Sequence, residues 1–138
     1  MTRDELIEFV RDEYSGEPEY LWAALPDAFV FRHTGNRKWY AVVMEVERRR
    51  LGLGGEGSVD VLDVKVGPVA VGSFLGEPGV LPAYHMNKAH WISLMLDGTA
   101  RDETIKLLLE VSYGLTGKTA RKSDGRSAKG EKPENASE

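Results

Sequence analysis

Apolar residues recur at helical spacing near both ends of the chain and at alternate positions between them. Leu6, Val10 and Tyr14 stand four apart behind Thr2 and Glu5, which match a capping box, so residues 3–14 are predicted as a helix. It stops at Gly16-Glu17-Pro18. A second long helix is predicted over "RDETIKLLLEVSYGLT", where Ile105, Leu108, Leu109, Ser112 and Leu115 share one stripe and acids occupy the first turn. In the middle, "AFVFRH" and "KWYAVVMEVE" read as strands joined by a tight turn at "TGNR". "SVDVLDVKV" and "HWISLML" read as a third and a fourth, the last turned by "DG". "EYLWAAL" is expected to add a helical turn before Pro26, and Pro68 to open a short helix through Leu75 that "GEPG" closes. "RRRLGLGGEG" is expected to be a mobile loop.

Period-two alternation then assigns faces. Tyr40, Val42, Met44 and Val46 share one face of the second strand and are expected under the helices, with Trp39, Ala41, Val43 and Glu45 opposite. Leu62, Val64 and Val66 oppose Val59, Val61, Asp63 and Lys65 on the third. Ile92, Leu94 and Leu96 point inward on the fourth, Trp91 and Ser93 outward. Strands between flanking helices make an α+β domain, an antiparallel sheet with helices on one face.

Composition changes the picture at one place. Residues 1–117 carry 12 Lys+Arg against 18 Asp+Glu, whereas residues 118–138 carry 6 against 4 and almost nothing apolar. One domain over 1–117 is expected, followed by a disordered polar tail over 118–138. An acidic body argues against a nucleic-acid role unless its cations converge on one face. Cysteine is absent, so disulfides and thiolate metal sites are excluded. No apolar run is long enough for a signal peptide or a membrane span, and a cytoplasmic location without membrane partners is expected.

Chemical motifs are sparse. The glycines of "GLGGEG" lie between two strands without a following Lys-Ser/Thr, which favours a hairpin loop over a phosphate cradle. His85 and His90 are five apart and do not share a helical face, so no metal site is expected, and no cofactor. Neither Ser93 nor Ser112 sits in a nucleophile motif, and Asp60 and Asp63 fall on opposite strand faces, so no catalytic residues are assigned and the chain reads as a non-enzyme. An enzyme with His85 or His90 as general base is the weakest alternative.

The remaining polar and aromatic set is Arg32, Asn36, Arg37, Lys38 and Trp39 around the first hairpin, Lys65, and Tyr84, His85, Asn87, Lys88, His90 and Trp91 before the fourth strand. Cations attract phosphate and rings stack on bases. Equally, Trp39 and Trp91 can cover the outer sheet face with cations around them, and Asn87 can cap a turn.

The blocks "FRHTGNRKWYAVVM", "VDVLDVKV", "PGVLPAYHMNKAHWISLMLDG" and "LLLEVSYGLT" resemble the MmcQ/YjbR family of small bacterial proteins, from about Thr2 to Thr116. The resemblance implies a CyaY-like (frataxin-like) fold: a four-stranded antiparallel sheet with N- and C-terminal helices packed on one face. It also implies a DNA-binding or regulatory role, because the sheet of such proteins is similar to the double wing of a phage transcription factor. The signature positions fall here on Arg32, Lys38, Lys65, His85, Met86, Asn87, Lys88, His90, Trp91, Asp97 and Gly98. Two readings follow. DNA meets Arg32, Arg37, Lys38, Trp39, Lys65, His85, Asn87, Lys88, His90 and Trp91 on an exposed outer face. Alternatively, a non-catalytic module binds a small anionic ligand or a protein partner through the surface of His85, Asn87 and Lys88.

Overall fold

The computed structural model describes residues 1–117, so the tail expected over 118–138 lies outside the described residues. Helix α1 (Arg3–Tyr14) begins at the capping box: the Thr2 side chain accepts the Glu5 N–H at 3.2 Å and Glu5 Oε1 accepts the Thr2 N–H at 2.9 Å. The sheet has five strands rather than four: β1 (Phe29–Arg32), β2 (Trp39–Glu47), β3 (Ser58–Lys65), β4 (Val80–Pro82) and β5 (Trp91–Met95). Their order is β1-β2-β3-β5-β4 and every neighbouring pair is antiparallel. The extra strand, β4, is too short to show alternation, and it ends on Pro82, which has no N–H to extend a ladder. Its entry is fixed by Gly79 at φ 74°, where a Cβ would collide with the Ala100 backbone.

Helices α2 (Gly67–Phe74) and α3 (Asp102–Gly117) complete the fold. All three helices lie on one sheet face. Leu6 and Val10 of α1 and Ile105, Leu108 and Leu109 of α3 meet Phe31, Leu62, Val64 and Ile92, with Ala70 and Phe74 of α2 alongside.

The faces of β2 differ from the alternation. Phe31 pairs with Ala41 and Arg32 with Trp39, which leaves Tyr40 as one extra residue in β2. Tyr40 and Ala41 therefore both enter the helix-side core, Val43 follows them, and Val42, Met44 and Val46 turn to the outer face. A single inserted residue reverses every later side chain in the strand. The Tyr40 carbonyl accepts the Ser112 hydroxyl at 2.7 Å, and Ser112 Oγ accepts the Lys65 N–H at 3.0 Å. One buried serine of α3 thus satisfies the backbone of two strands beside the bulge.

Two further expectations change. Residues 18–25 form no helical turn: Glu19 bridges Val30, and turns follow before Asp27. Both Glu19 peptide groups are committed to Val30, and Pro26 disfavours helical backbone at Leu25 before it. The loop expected to be mobile is built: Arg48–Leu51 is a 3₁₀ helix, the Arg48 N–H reaches Gly57 O at 2.9 Å, and Leu51 and Leu53 pack on the sheet.

Candidate binding cleft

The outer face of the sheet is not bare. Trp91, Val42, Val30, Ala83 and Met86 form a buried cluster flanked by Trp22 and Trp39. Val46, Val59, Val61 and Met95 form a second, flanked by Met44, Leu81 and Tyr84. Segments 20–28 and 82–90 supply Trp22, Ala83, Tyr84 and Met86 as the cover. Beneath it lie three polar side chains, Asp63, Lys65 and Ser93. The Ser93 hydroxyl donates to Asp63 Oδ1 and accepts the Tyr84 N–H at 2.9 Å, which fastens the covering segment to β5.

The residues expected on an exposed cationic face are therefore dispersed. Trp91 is only 1% exposed and Lys65 only 7%, so both are sealed by packing. Arg32 is half-buried with Nε 3.1 Å from Glu19 Oε1. Arg37 is exposed in the hairpin turn with φ 67°, and the Lys38 N–H donates to Asn36 Oδ1 at 2.9 Å. Asn36 Nδ2 donates to Thr116 O at 2.8 Å, so this hairpin caps the end of α3. His33 joins it, with Nε2 2.9 Å from Thr116 Oγ1 and its ring between Tyr40 and Tyr113. Burial lowers the His33 pKa below the ordinary histidine value. Asn87 caps its own turn: its Oδ1 accepts the Ala89 N–H, and its carbonyl accepts those of His90 and Trp91. The His90 carbonyl in turn receives the Val66 and Gly67 N–H groups. Lys88 is exposed on that turn. Of the whole set, Trp39 and His85 line a common cavity, with the signature residue Met86.

They meet at a cleft. One cavity of about 400 Å³ lies between residues 24–28 and the Met44–Glu47 end of β2, with Arg50, Tyr84 and His85 closing it. A second, of about 250 Å³, is lined by Trp22, Trp39, Val42 and Met86. Both include Leu25, Ala28, Met44 and His85, so the two cavities adjoin across these side chains. The Trp22 and Trp39 rings pack edge to face at 5.9 Å. His85 holds φ 64°, a left-handed conformation rare for a residue with a Cβ, and its ring lies 4.1 Å from that of Tyr84. At the outer end Glu47 sits 3.2 Å from Arg50 and 3.4 Å from Arg49, and these guanidiniums hold its carboxylate below the usual range. Hydrogen bonding to Tyr84 and Glu47 raises the Arg50 pKa in return. Among the described residues no three His, Cys, Asp or Glu side chains are grouped to hold a metal ion.

The YjbR family model matches residues 3–115, which include every residue of the cleft. The chain belongs to the YjbR family. It is 38% identical over 116 residues to the uncharacterized protein YyaQ of Bacillus subtilis (strain 168), covering 84% of this chain and 98% of YyaQ. A crystal structure of a Pseudomonas syringae protein, 43% identical, superposes with a TM-score of 0.82 over 84% of this chain and 99% of its own. A Deinococcus radiodurans protein at 25% identity gives a TM-score of 0.64 over 94% and 88%. For this YjbR protein no helix among the described residues is long and apolar enough to cross a membrane. Sequence reasoning missed Trp22, Leu25, Met44 and Arg50 as lining residues. A usable signal was present for the first two: prolines on both sides of "EYLWAAL" mark a loop that carries a tryptophan and two leucines.

Proposed function

We propose that this YjbR protein is a non-catalytic binding module whose ligand enters the outer-face cleft. The adjacency of the two cavities at His85 carries the reading: the larger alone has the size of a ligand site, and a left-handed non-glycine residue forms the wall they share. A non-catalytic role is supported by Glu47, whose carboxylate is occupied by two arginines and is not placed to serve as a base. The nucleic-acid reading lacks its central pieces, because Lys65 and Trp91 are covered and the lining combines Asp27, Glu45 and Glu47 with Arg50 alone.

A fragment screen read by ¹H–¹⁵N spectra of the full chain tests this. Hits are expected to shift the amides of Leu25, Met44, His85 and Met86 together. Hits confined to other surfaces, or none that saturates, would overturn the cleft as the site. Labelled duplex DNA titrated at low salt is expected to give no saturable binding, and saturable binding lost in Lys88→Ala would restore the nucleic-acid reading.

A further inference from the structure

The larger cavity borders a strand edge that no strand among the described residues pairs. Val30 exchanges both peptide hydrogen bonds with Glu19, at 2.9 and 3.0 Å, so in β1 it is Phe29 and Phe31 that bond β2, through Val43 and Ala41. The same alternation continues along β2. Met44 and Val46 turn their peptide groups toward Val61 and Val59 of β3, while Glu45 and Glu47 turn theirs to the β1 side. There β1 has already ended: its ladder starts at Phe29 opposite Val43, and the Ala28 N–H is used in a turn to Leu25 O at 3.1 Å. Between Met44–Glu47 and residues 24–28 lies the 400 Å³ cavity. A strand edge that faces an open cleft accepts another strand.

Resting on the reading of the cleft as a ligand site, we infer that its occupant is a short extended segment of a partner protein, added to β2 beyond the end of β1. Residues directly opposite one another in a pair share a face, so the partner's chemistry follows from β2. Opposite Met44 and Val46 the segment carries apolar side chains, which enter the part of the cleft lined by Leu25, Met44 and His85. Opposite Glu45 it carries Lys or Arg. Charge supports this choice: Asp27 and Glu45 line the cavity, Glu45 faces another carboxylate, Asp60, on the neighbouring strand, and the arginines beside the cleft, Arg49 and Arg50, are engaged with Glu47. Arg3 already engages Asp60 at 3.0 and 3.2 Å, which leaves that cation committed. The opposite wall also suits a protein partner. Leu25, which lines both cavities, is 52% exposed, one of six large apolar side chains exposed among the described residues.

The test is selection of a random-peptide phage library on the full-length protein, followed by synthesis of the enriched peptides. Enrichment of alternating apolar and basic residues is expected, with the Glu45 and Glu47 amides shifting and gaining exchange protection on binding. N-methylation of the peptide nitrogens that pair is expected to weaken binding about ten-fold or more while leaving the side chains in place. Glu45→Pro removes one outward N–H at a position where the ladder to β3 does not use it, and is expected to weaken the same peptides. No enrichment, or indifference to N-methylation, overturns strand addition. Should fragments still shift Leu25, Met44 and His85, the cleft remains a ligand site of another kind. Should neither fragments nor peptides reach it, both readings fall.

Discussion

Two substitutions at His85 separate backbone strain from ligand contact. The side chain is exposed, and its backbone sits at φ 64°, one of three positive φ values at non-glycine residues in the described chain, with Ser15 and Arg37. Left-handed backbone disfavours any residue with a Cβ by roughly 1–2 kcal/mol. Glycine removes that cost but adds roughly 0.5–1 kcal/mol of unfolded-chain entropy. His85→Gly is therefore expected to be neutral or to stabilise the fold by up to about 1 kcal/mol. His85→Ala keeps the strained backbone and is expected to be no more stable than the parent. The difference between the two variants, about 1 kcal/mol in favour of glycine, has the opposite sign to the preference inside a helix.

Urea unfolding followed by tryptophan fluorescence measures this directly, since all three tryptophans belong to the outer-face cluster beside the cleft. Both variants should also bind cleft fragments more weakly, because each removes the ring that closes both cavities. An alanine variant as stable as the glycine variant would refute the strain. Unchanged fragment affinity in His85→Gly would show that the strained residue serves the turn and not the site.

Two other outcomes follow from burial. Trp91→Ala, which empties the centre of the outer-face cluster, is expected to cost about 3–5 kcal/mol in urea unfolding, and a loss below about 1 kcal/mol would refute the covered face. His33 has a folded pKa depressed chiefly by burial, so both states are neutral above about pH 6.5 and stability is at its full value there. As pH falls through and below that point the unfolded chain takes up a proton that the folded imidazole resists, and stability declines toward the depressed folded pKa. The urea midpoint should drop between about pH 7.5 and 5.5 in the parent and drop less in His33→Gln, and equal slopes would refute the assignment.

Features that depend on local periodicity were legible in the sequence. Helix α1 and its cap, the inward set Leu62, Val64 and Val66, and the inward set Ile92, Leu94 and Leu96 all stand where spacing placed them. Features that depend on what one segment lays over another were not. Nothing in "PAYHMNKAHW" indicates that Ala83 and Met86 press on Trp91, or that Ser93 holds the Tyr84 N–H. Lys65 alternates outward as expected, but outward here means beneath a covering segment. Met44 failed for a different reason: hydrophobic alternation in "KWYAVVMEVE" is satisfied equally by either face, and only the pairing of Arg32 with Trp39 reveals the extra residue.

That extra residue links the core to the cleft. With Tyr40 inserted, β2 can send Tyr40, Ala41 and Val43 into the helix layer and still turn Met44 outward into the cleft, while Glu45 and Glu47 direct their peptide groups past the end of β1. The outer face is then closed from two sides, by residues 20–28 and by residues 82–90, which take Trp91 out of water, while the Ser93–Asp63 hydrogen bond satisfies polar groups left under the cover. Neither segment reaches the Met44–Glu47 edge fully, and the opening left between them is the cleft. Deletion of Tyr40 would return Met44 to the helix side and Glu45 to the outer face, so it would take Met44 out of the apolar wall without touching a cleft residue. The position of the site is thus a consequence of strand register, and its chemistry a consequence of which side chains that register leaves uncovered.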